Sequence, residues 1–450
     1  MMSWHDAGRG NGALYAVYAA LTTVVCLLLS IVASVSRLSR AAVFQDLRQR
    51  LARYAPHSLS PTDQRPVLWL HAASVGEVQA AKVLIDVLLT AMPDYRLVVT
   101  TMTVKGREAA QRQLPGEVCC LLAPLDGPAA VRRACKLLNP SLYLCLETEL
   151  WPVTLLELKR LGVKAVLLNG RLSERSCRLY LKTGRLIRSS LGTFERLAVI
   201  TGTDRDRFLR LGVAAERIEV SGNLKYDQWP ENPAAIRQQR RQELQVNGQT
   251  VFVCGSTRSG EEQILLPVYR ALAAKGPTLW VLAPRHLQRL AEVQALLDRE
   301  EVAYTLYSAL ADGRQRCAQV VLIDCMGELA EVYAAGDLLF CGGSLVPKGG
   351  HNIMEAARWG RPVYFGPSMR DFQDAAALLV KSGGGFQVND GAALRELVLV
   401  HLADRSARER AGEAARDAAA TQRGAAARQV NIVREVLSRH ARQSTFTWDR

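Results

Sequence analysis

The sequence predicts an α/β protein with two successive doubly wound, Rossmann-like domains, preceded by a transmembrane helix. Strand-like apolar runs alternate with segments of helical periodicity from residue 67 to 201, and again from 250 to 366. Such alternation is typical of βαβ units around a parallel sheet. An uncharged run near the amino terminus predicts the membrane helix. Ligands of doubly wound domains bind at the carboxyl ends of the strands, so we expect a ligand cleft between the two domains.

The amino-terminal run carries no charge from Gly10 to Ser36, and residues 13–35 make an apolar segment of 23 residues. About 20 residues suffice to cross a bilayer, whereas a cleaved signal peptide has a shorter apolar core. Arg37 and Arg40 follow the run. By the positive-inside rule they keep the rest of the chain in the cytoplasm. We therefore expect residues 1–40 to form a single-pass anchor in the plasma membrane.

The strand-like runs fall into two series separated by a polar segment. The first series comprises residues 67–72, 97–102, 118–123, 142–147, 164–169 and 197–201. The second comprises residues 250–255, 278–284, 319–324, 337–343 and 362–366. Between them, residues 221–235 contain glycine and two prolines, and the last forty or so residues are rich in Ala and Arg and predict a helix. We expect one domain over 41–228 and a second over 229–450 that includes this carboxyl-terminal helix.

The composition narrows the class of partner. The net charge of +14 is spread along the chain, which indicates an acidic partner such as nucleic acid, an anionic membrane or a phosphorylated substrate. No zinc-finger cysteine spacing and no aromatic ribonucleoprotein motif occurs, so we do not expect nucleic acid. The ten cysteines form no CxxC pair and most lie in apolar runs, which predicts buried free thiols.

A glycine-rich segment, residues 342–356, follows a strand-like run and precedes a predicted helix near Asn352. Backbone N–H groups and the helix dipole favour a phosphate at such a position, and Lys348 adds positive charge. Glu355 could accept hydrogen bonds from ribose hydroxyls. The alternative is a helix merely capped by Asn352, with glycines that serve the turn. The pattern alone does not separate the two.

Acidic residues occur where strands end. Ser74 and Glu77 have the spacing of a capping box, yet Glu77 could equally serve as a general base at the mouth of a cleft. Glu147 and Glu149 end a strand two residues apart, which suits either a site or a buried ion pair. Asp204 and Asp206 have the DxD spacing of metal-dependent glycosyltransferases. They open a predicted helix, so we interpret them as structural.

Basic residues advance by three or four positions between residues 171 and 188 and form a stripe at helical spacing. The stripe consists of Arg171, Arg175, Arg178, Lys182, Arg185 and Arg188. Gly184 interrupts a regular helix, and Leu179, Leu186 and Leu191 are available to pack elsewhere. A solvated helix face is one interpretation. We favour a surface that meets anionic lipid or lipid phosphates, because Glu174 is the only acid in the stretch.

Eight motifs occur in one order along the chain. They are HAASVGE (71–77), ETELWP (147–152), NGRLSERS (169–176), GNLKYD (222–227), STRSGEE (256–262), PRH (284–286), MGEL (326–329) and GGSLVPKGGHNIMEA (342–356). The ordered set closely resembles the 3-deoxy-D-manno-octulosonic acid (Kdo) transferases of Gram-negative lipopolysaccharide assembly. The resemblance covers about residues 66 to 390. It implies an inverting glycosyltransferase of the GT-B fold, anchored in the inner membrane with its catalytic body in the cytoplasm.

The resemblance also implies roles for particular residues. The second domain would bind CMP-Kdo and the first a lipid A precursor. Glu77 would take the proton of the acceptor hydroxyl. Glu149, placed at the end of its strand, is a second catalytic candidate from the residues themselves. Residues implied to bind the nucleotide sugar are Ser256, Arg285, His286, Gly327, Glu328, Lys348, Gly349, Gly350, His351, Asn352 and Glu355. We assign Arg171, Arg175, Arg178, Lys182 and Arg185 to the acceptor and the anionic membrane. A monophosphate leaving group needs less help from cations than a diphosphate, so no metal or other cofactor is expected.

Two other functions remain open at this point. A UDP-N-acetylglucosamine 2-epimerase-like enzyme shares the glycine-rich site of GT-B proteins, but it would not need the anchor or the basic stripe. A non-catalytic, membrane-bound binding module would tolerate the loss of Glu77, because binding requires no proton acceptor.

Overall fold

The computed structural model describes residues 8–35, 42–55, 63–227 and 229–445. Within these ranges the strands are β1 Val67–His71, β2 Arg96–Thr101, β3 Cys119–Leu122, β4 Pro140–Leu146, β5 Lys164–Gly170, β6 Phe194–Val199, β7 Ile218–Val220, β8 Thr250–Thr257, β9 Thr278–Pro284, β10 Thr305–Leu306, β11 Val320–Leu322, β12 Leu338–Cys341, β13 Val363–Phe365 and β14 Gly385–Gln387. They alternate with helices, as the periodicity predicts.

The α-helices lie between and beyond these strands. They are α1 Gly8–Val35, α2 Ala42–Arg50, α3 Val75–Ala91, α4 Val104–Gln113, α5 Pro128–Leu138, α6 Pro152–Arg160, α7 Glu174–Thr183, α8 Arg185–Leu191, α9 Gly202–Arg210, α10 Pro233–Glu243, α11 Glu261–Ala273, α12 Leu290–Arg299, α13 Tyr307–Ala311, α14 Leu329–Val332, α15 Met354–Ala357, α16 Gln373–Ser382, α17 Gly391–Ala403, α18 Arg405–Ala420 and α19 Ala425–Thr445.

The chain divides into two compact units. Unit 1 comprises residues 1–228 and 424–450, and unit 2 comprises residues 229–423. Each unit contains a seven-stranded sheet in which every paired strand runs parallel to its neighbour. The predicted fold class, two parallel-sheet α/β domains, is confirmed.

The sheet of unit 1 has the strand order β3-β2-β1-β4-β5-β6-β7. Successive residues of β1 enter opposite cores: Leu68 and Leu70 join one apolar cluster, and Trp69 joins the other. This alternation explains why the strands appear as continuous apolar runs, since helices cover both faces of a parallel sheet. The indole N–H of Trp69 donates to the Thr100 hydroxyl at 2.8 Å, which satisfies a buried polar group inside the core.

The sheet of unit 2 has the strand order β10-β11-β9-β8-β12-β13-β14. Its core includes Phe252 and Trp280, both fully buried. The Trp280 ring stacks on Tyr269 with centroids 5.1 Å apart. Three strands have no counterpart among the sequence predictions, namely β7, β10 and β14. Each is two or three residues long and lies at the edge of its sheet, too short for an apolar period to stand out.

The carboxyl-terminal helix differs from the expectation. The sequence placed it in the second domain, within 229–450, but the chain returns to unit 1 at residue 424. Ala426, Val430 and Val433 of α19 are buried in the same cluster as Leu68 and α3. The Asp227 carboxylate accepts hydrogen bonds from the backbone N–H groups of Gly424 and Ala426, which fixes the start of the helix. An amphipathic helix pattern shows that a face is buried but not which core buries it.

The amino-terminal helix α1 contains one segment, Tyr15–Val32, that is long and apolar enough to cross a membrane by length and composition. Most of this segment is exposed. One side of α1 nevertheless contacts unit 1. The Tyr15 hydroxyl donates to Glu157 at 3.0 Å and the Tyr18 hydroxyl donates to Asp126 at 3.0 Å. The helix is therefore held along α5 and α6 by polar contacts on one side, with an apolar surface on the other.

The cysteines are all free thiols, as predicted, and most are buried or half-buried.

Candidate active site

Each sheet reverses its direction of winding at one point. In unit 1 the switch lies between β1 and β4, and in unit 2 between β8 and β12. Doubly wound domains bind ligands at the carboxyl ends of the strands at such a switch point. The motif residues follow these strands: Glu77 follows β1, Glu149 follows β4, and the glycine-rich segment follows β12.

Glu77 lies at the first turn of α3 and is 8% exposed. Its carboxylate accepts hydrogen bonds from the backbone N–H of Ala73 at 2.7 Å and from the Ser74 hydroxyl at 3.0 Å. The Ser74 oxygen in turn accepts from the backbone N–H of Glu77. Ser74 therefore caps the helix, as the sequence pattern allows. The same contacts hold the Glu77 carboxylate in a fixed position.

Burial raises the pKa of Glu77 to about 7, against the hydrogen bond from Ala73, and the negative charges of Glu147 and Glu149 act in the same direction as burial. A carboxylate with this pKa can accept a proton near neutral pH, which is the property of a general base. Burial also raises the pKa of Glu149. The cap and the base interpretations are thus compatible: Ser74 caps the helix, and Glu77, held by the same contacts, has the proton affinity of a general base.

Glu147 has a different environment. Its backbone adopts a left-handed conformation, with φ of 54°. Its carboxylate forms an ion pair with Lys225 at 2.8 Å. Of the two interpretations left open for the Glu147–Glu149 pair, the ion pair therefore describes Glu147. Lys225 lies in the GNLKYD motif, to which the sequence assigned no role, and the pair connects it to the carboxyl end of β4.

Other motif residues of unit 1 support the local architecture. The fully buried Asn169, also left-handed with φ of 50°, accepts a hydrogen bond from the backbone N–H of Leu224 at 3.0 Å. Asp204 forms a capping box with Thr201 and also accepts from the backbone N–H of Leu172 at 2.9 Å. Asp204 is therefore structural, as the sequence indicated. Among the described residues no group of His, Cys, Asp or Glu side chains could hold a metal ion.

The basic stripe is not one continuous helix. It spans the loop before α7, then α7, and α8, which are separated at Gly184 with φ of 47°. Arg171, Arg175, Arg178 and Lys182 are exposed, whereas the Arg185 side chain lies outside the described residues. Leu179 does not pack into a core as expected. It is 57% exposed, beside Leu181 at 37%, so α7 presents cations and leucines together to its surroundings.

The glycine-rich loop of unit 2 differs from the expected open phosphate site. The Glu261 carboxylate is fully buried and accepts hydrogen bonds from the backbone N–H groups of Gly343, Ser344 and Leu345 at 2.6 to 3.0 Å. It also accepts from the N–H of Arg258 at 2.9 Å. These amides are therefore not free for a ligand phosphate, because a resident carboxylate occupies them. Burial raises the pKa of Glu261 against the effect of these hydrogen bonds.

The later part of the loop is also organised by internal contacts. The N–H of Gly349 donates to the Ser368 hydroxyl, and that of Gly350 donates to the carbonyl of Gly343 at 2.8 Å. Asn352 accepts from the N–H of Met354 at 3.2 Å and donates to Glu355 at 3.0 Å. Helix α15 begins at Met354, two residues later than predicted, and is only four residues long. The N-cap of this short helix is Ile353, without a side-chain cap hydrogen bond, so Asn352 holds the segment that leads into the helix and is not its cap.

A cluster of basic groups surrounds His351. The pKa of His351 is lowered to about 3, first by burial and then by the positive charges of Arg285 and Arg258. Burial and the same two arginines lower the pKa of His286, and the Arg258 guanidinium contacts the His286 ring. Arg258 and Arg285 follow the carboxyl ends of the adjacent strands β8 and β9, and their positive charges repel each other. A bound anion would relieve this repulsion.

The close approach of the β8 and β12 loops requires a glycine at position 342. A Cβ there would lie 2.6 Å from the Cα of Thr257 and 2.8 Å from the carbonyl oxygen of Ser256. Ser256 itself is left-handed, with φ of 57°. The switch point of unit 2 is therefore narrow, with Arg258 beside it.

The remaining donor candidates lie at the same edge of the sheet but in different environments. Lys348 is exposed. Gly327 is left-handed with φ of 98°, and Glu328 forms an ion pair with Arg240 at 2.8 Å. Burial raises the pKa of Glu355. Glu261 and Arg258 belong to the STRSGEE motif, yet no role was predicted for either residue. Membership of the motif was the sequence signal for these two residues, because their hydrogen-bond partners are visible in the tertiary structure alone.

Comparison with known proteins identifies the family. Residues 45–228 match the family model described as 3-deoxy-D-manno-octulosonic-acid transferase (kdotransferase). The 3-deoxy-D-manno-octulosonic acid transferase of Haemophilus influenzae is 33% identical over 396 residues, which are 87% of this chain and 92% of that protein. The chain belongs to the Kdo transferase family. The resemblance carried by the ordered motifs is thereby confirmed.

Further relatives agree with this membership. The Kdo transferase of Chlamydophila psittaci is 35% identical over 323 residues, 71% of this chain and 74% of that protein. A glycosyltransferase from Rickettsia africae has a similar structure, with a TM-score of 0.57, 12% identity, and coverage of 83% of this chain and 99% of that one. This likeness concerns the GT-B fold alone. The protein is therefore a Kdo transferase of the GT-B fold and an enzyme of the glycosyltransferase class.

Proposed function

We propose that this Kdo transferase moves Kdo from CMP-Kdo to a lipid A precursor, with inversion at the anomeric carbon, at the cytoplasmic face of the inner membrane. The observation that carries the proposal is the Glu77 carboxylate. It is buried, held by two hydrogen bonds at the switch point of unit 1, and its pKa is near 7. Family membership favours this reaction over that of a 2-epimerase-like enzyme, which shares only the fold.

In the proposed reaction, the acceptor hydroxyl oxygen forms a bond to the anomeric carbon of Kdo. Its proton passes to the Glu77 carboxylate, and the bond between that carbon and the CMP phosphate oxygen breaks, with its electron pair leaving on CMP. Attack opposite to the leaving group inverts the configuration. Glu149 supports the step, because its negative charge adds to the proton affinity of Glu77.

The leaving phosphate gains negative charge as the bond breaks, and fixed cations stabilise that charge most effectively. Arg258 and Arg285 are the candidate cations in unit 2, since the charge of Arg285 lowers the pKa of Arg258 after burial and both charges lower the pKa of His286, which lies beside them as a hydrogen-bonding group. We therefore assign the CMP phosphate to this cluster. The glycine-rich loop then shapes the site through Glu261 rather than binding the phosphate with the amides of residues 343–345.

The membrane assignment rests on two surfaces of unit 1. The apolar side of α1 supplies the proposed anchor, since the segment Tyr15–Val32 is long and apolar enough to cross a membrane. The exposed face of α7 carries Arg175, Arg178 and Lys182 beside Leu179. Cations flanking exposed leucines are typical of helices that lie on an anionic lipid surface. We propose that this face receives the phosphates of the lipid acceptor.

The test is incubation of the purified full-length protein in detergent with CMP-Kdo and a tetraacylated lipid A precursor, followed by mass spectrometry of the lipid. The expected result is a lipid heavier by one or more Kdo residues, with stoichiometric release of CMP. The Glu108→Gln variant changes an exposed carboxylate of α4 and is the matched control for Glu77→Gln. Release of CMP without a modified lipid would contradict the assigned acceptor, and no turnover of CMP-Kdo would contradict the donor.

A further inference from the structure

Unit 2 contains a pocket of about 350 Å³ at the edge of the sheet opposite to the donor candidates. Ala334 precedes β12, and Gly360 and Arg361 directly precede β13. Because these strands are parallel, the pocket lies at their amino-terminal ends. Arg258 and Arg285, by contrast, follow the carboxyl ends of β8 and β9. The pocket is therefore separate from the proposed CMP site.

The lining of the pocket is basic and aromatic. It comprises Trp229, Pro233, Ala234, Arg237, Ala334, Arg358, Trp359, Gly360, Arg361, Glu409, Glu413 and Arg416. Four arginines thus face two glutamates. One of the two, Glu409, already forms an ion pair with Arg405 at 2.8 Å. The lining carries an excess of positive charge, which favours an anionic ligand.

The lining arginines differ in how closely carboxylates offset their charge. Arg237 is compensated by Asp337, with an ion pair of 2.7 Å. Arg361 donates one hydrogen bond, to the carbonyl of Gly360 at 3.1 Å, and has no ion pair with any residue in unit 2 as the structure describes it. Arg416 is exposed, and its guanidinium forms an ion pair with the neighbouring Asp417 at 3.4 Å. Burial lowers the pKa of Arg361, so nearby carboxylates do not offset the cost of burying its charge.

The two tryptophans supply flat apolar surface beside these cations. Trp359 is 9% exposed and its indole N–H donates to the carbonyl of Ala330 at 2.8 Å, which fixes the ring. The guanidinium of Arg423 lies over the Trp229 ring, 5.0 Å from its centroid. Apolar walls with a few fixed polar groups are the usual construction of a small-molecule site.

We propose that this pocket binds a small organic phosphate monoester with a planar or apolar body. Arg361 and Arg416 hold the phosphate, and Trp229 and Trp359 contact the body. Guanidinium groups bind phosphate through paired N–H donors, which favours this class of anion. Trp229 and Arg423 are the first and last residues of unit 2, so the ligand contacts the segment where the chain enters the unit. The site does not depend on the proposed donor or acceptor.

The test is calorimetric titration of the full-length protein in detergent with phenyl phosphate. The Arg258→Gln variant, which weakens the proposed donor site, is titrated alongside without added CMP, because CMP is itself a phosphate monoester with a planar base and would compete for the pocket. We expect saturable binding of phenyl phosphate. Inorganic phosphate can contact only the arginines and phenol only the tryptophans, so each should bind more weakly than phenyl phosphate. Arg361→Gln should weaken binding by about tenfold or more, since a charge-assisted contact is lost. Trp359→Leu should remove the preference for phenyl phosphate over inorganic phosphate.

Two further variants keep the test decisive. Arg416→Gln changes an exposed side chain, so it decides the outcome if Arg361→Gln lowers the thermal stability of the protein. Arg395→Gln changes an exposed arginine of α17 that does not line the pocket, and it should bind phenyl phosphate as the unmodified protein does. The proposal is overturned if no saturable binding occurs, or if Arg258→Gln abolishes the binding of phenyl phosphate, which would place it in the proposed donor site. It is also overturned if the Arg416→Gln and Arg395→Gln variants bind equally well.

Discussion

Replacing Glu77 by Gln should abolish transfer and at the same time stabilise the protein at alkaline pH. Removal of a general base lowers the rate by about 10²- to 10⁴-fold. The amide retains an oxygen that can accept one of the two hydrogen bonds from Ala73 and Ser74. The fold around α3 is therefore preserved, and CMP binding, which we assign to unit 2, should stay unchanged.

The stability effect follows from the pKa of Glu77, which rises from an ordinary value of 4.5 to about 7 in the folded protein. A raised carboxylate pKa means that the folded state binds the proton more tightly than the unfolded state. The contribution of Glu77 to the free energy of unfolding is therefore fully present below the pKa of the unfolded state and is lost as pH rises through the pKa of the folded state. The shift corresponds to about 3 kcal/mol. Loss of one hydrogen bond in the variant costs about 1 kcal/mol at every pH. We expect Glu77→Gln to be less stable than the unmodified protein at about pH 5 and more stable, by about 2 kcal/mol, at about pH 8.5.

The measurements are thermal unfolding at both pH values and the pH dependence of kcat/KM. The profile of the unmodified enzyme should rise with a pKa of about 7, since the base must be ionised. Glu108→Gln should change neither profile nor stability. If Glu77→Gln keeps turnover within about threefold and melts lower at both pH values, Glu77 serves only as a helix cap and the assignment of the base is wrong.

Three further predictions concern the metal, the lipid face and the donor loop. Incubation with EDTA should leave the rate of Kdo transfer unchanged; loss of activity that magnesium or manganese restores would contradict the metal-free proposal. Reversing Arg178 and Lys182 to Glu should raise the KM for the lipid and weaken binding to anionic vesicles, because each cation contributes about 1 kcal/mol near an anionic surface. CMP affinity should not change, and equal vesicle binding would show that α7 is only a solvated face. Glu261→Gln should destabilise unit 2 by about 3 kcal/mol, because a neutral amide cannot accept hydrogen bonds from all four N–H groups. The variant should also bind CMP more weakly. Normal CMP affinity in this variant would show that the loop is not part of the donor site.

The sequence by itself determined the two parallel sheets and the positions of most strands. Strands such as β1 and β9 are buried on both faces, and their continuous apolar runs make them visible without a structure. It also determined local caps, because the bonds of Ser74 to Glu77 and of Thr201 to Asp204 join residues three positions apart. The ordered motifs gave the family, which the relatives confirm.

Only the tertiary structure decided how distant residues meet. The pairing of Glu147 with Lys225, 78 residues away, selects one of two interpretations that the strand pattern left equal. The loop was expected to bind a phosphate through its backbone amides, but the amides of residues 343–345 donate hydrogen bonds to the Glu261 carboxylate. The return of α19 to unit 1 depends on which core accepts its apolar face. Periodicity and capping act within a few residues, whereas these contacts depend on chain positions brought together by the fold, so no local pattern could have shown them.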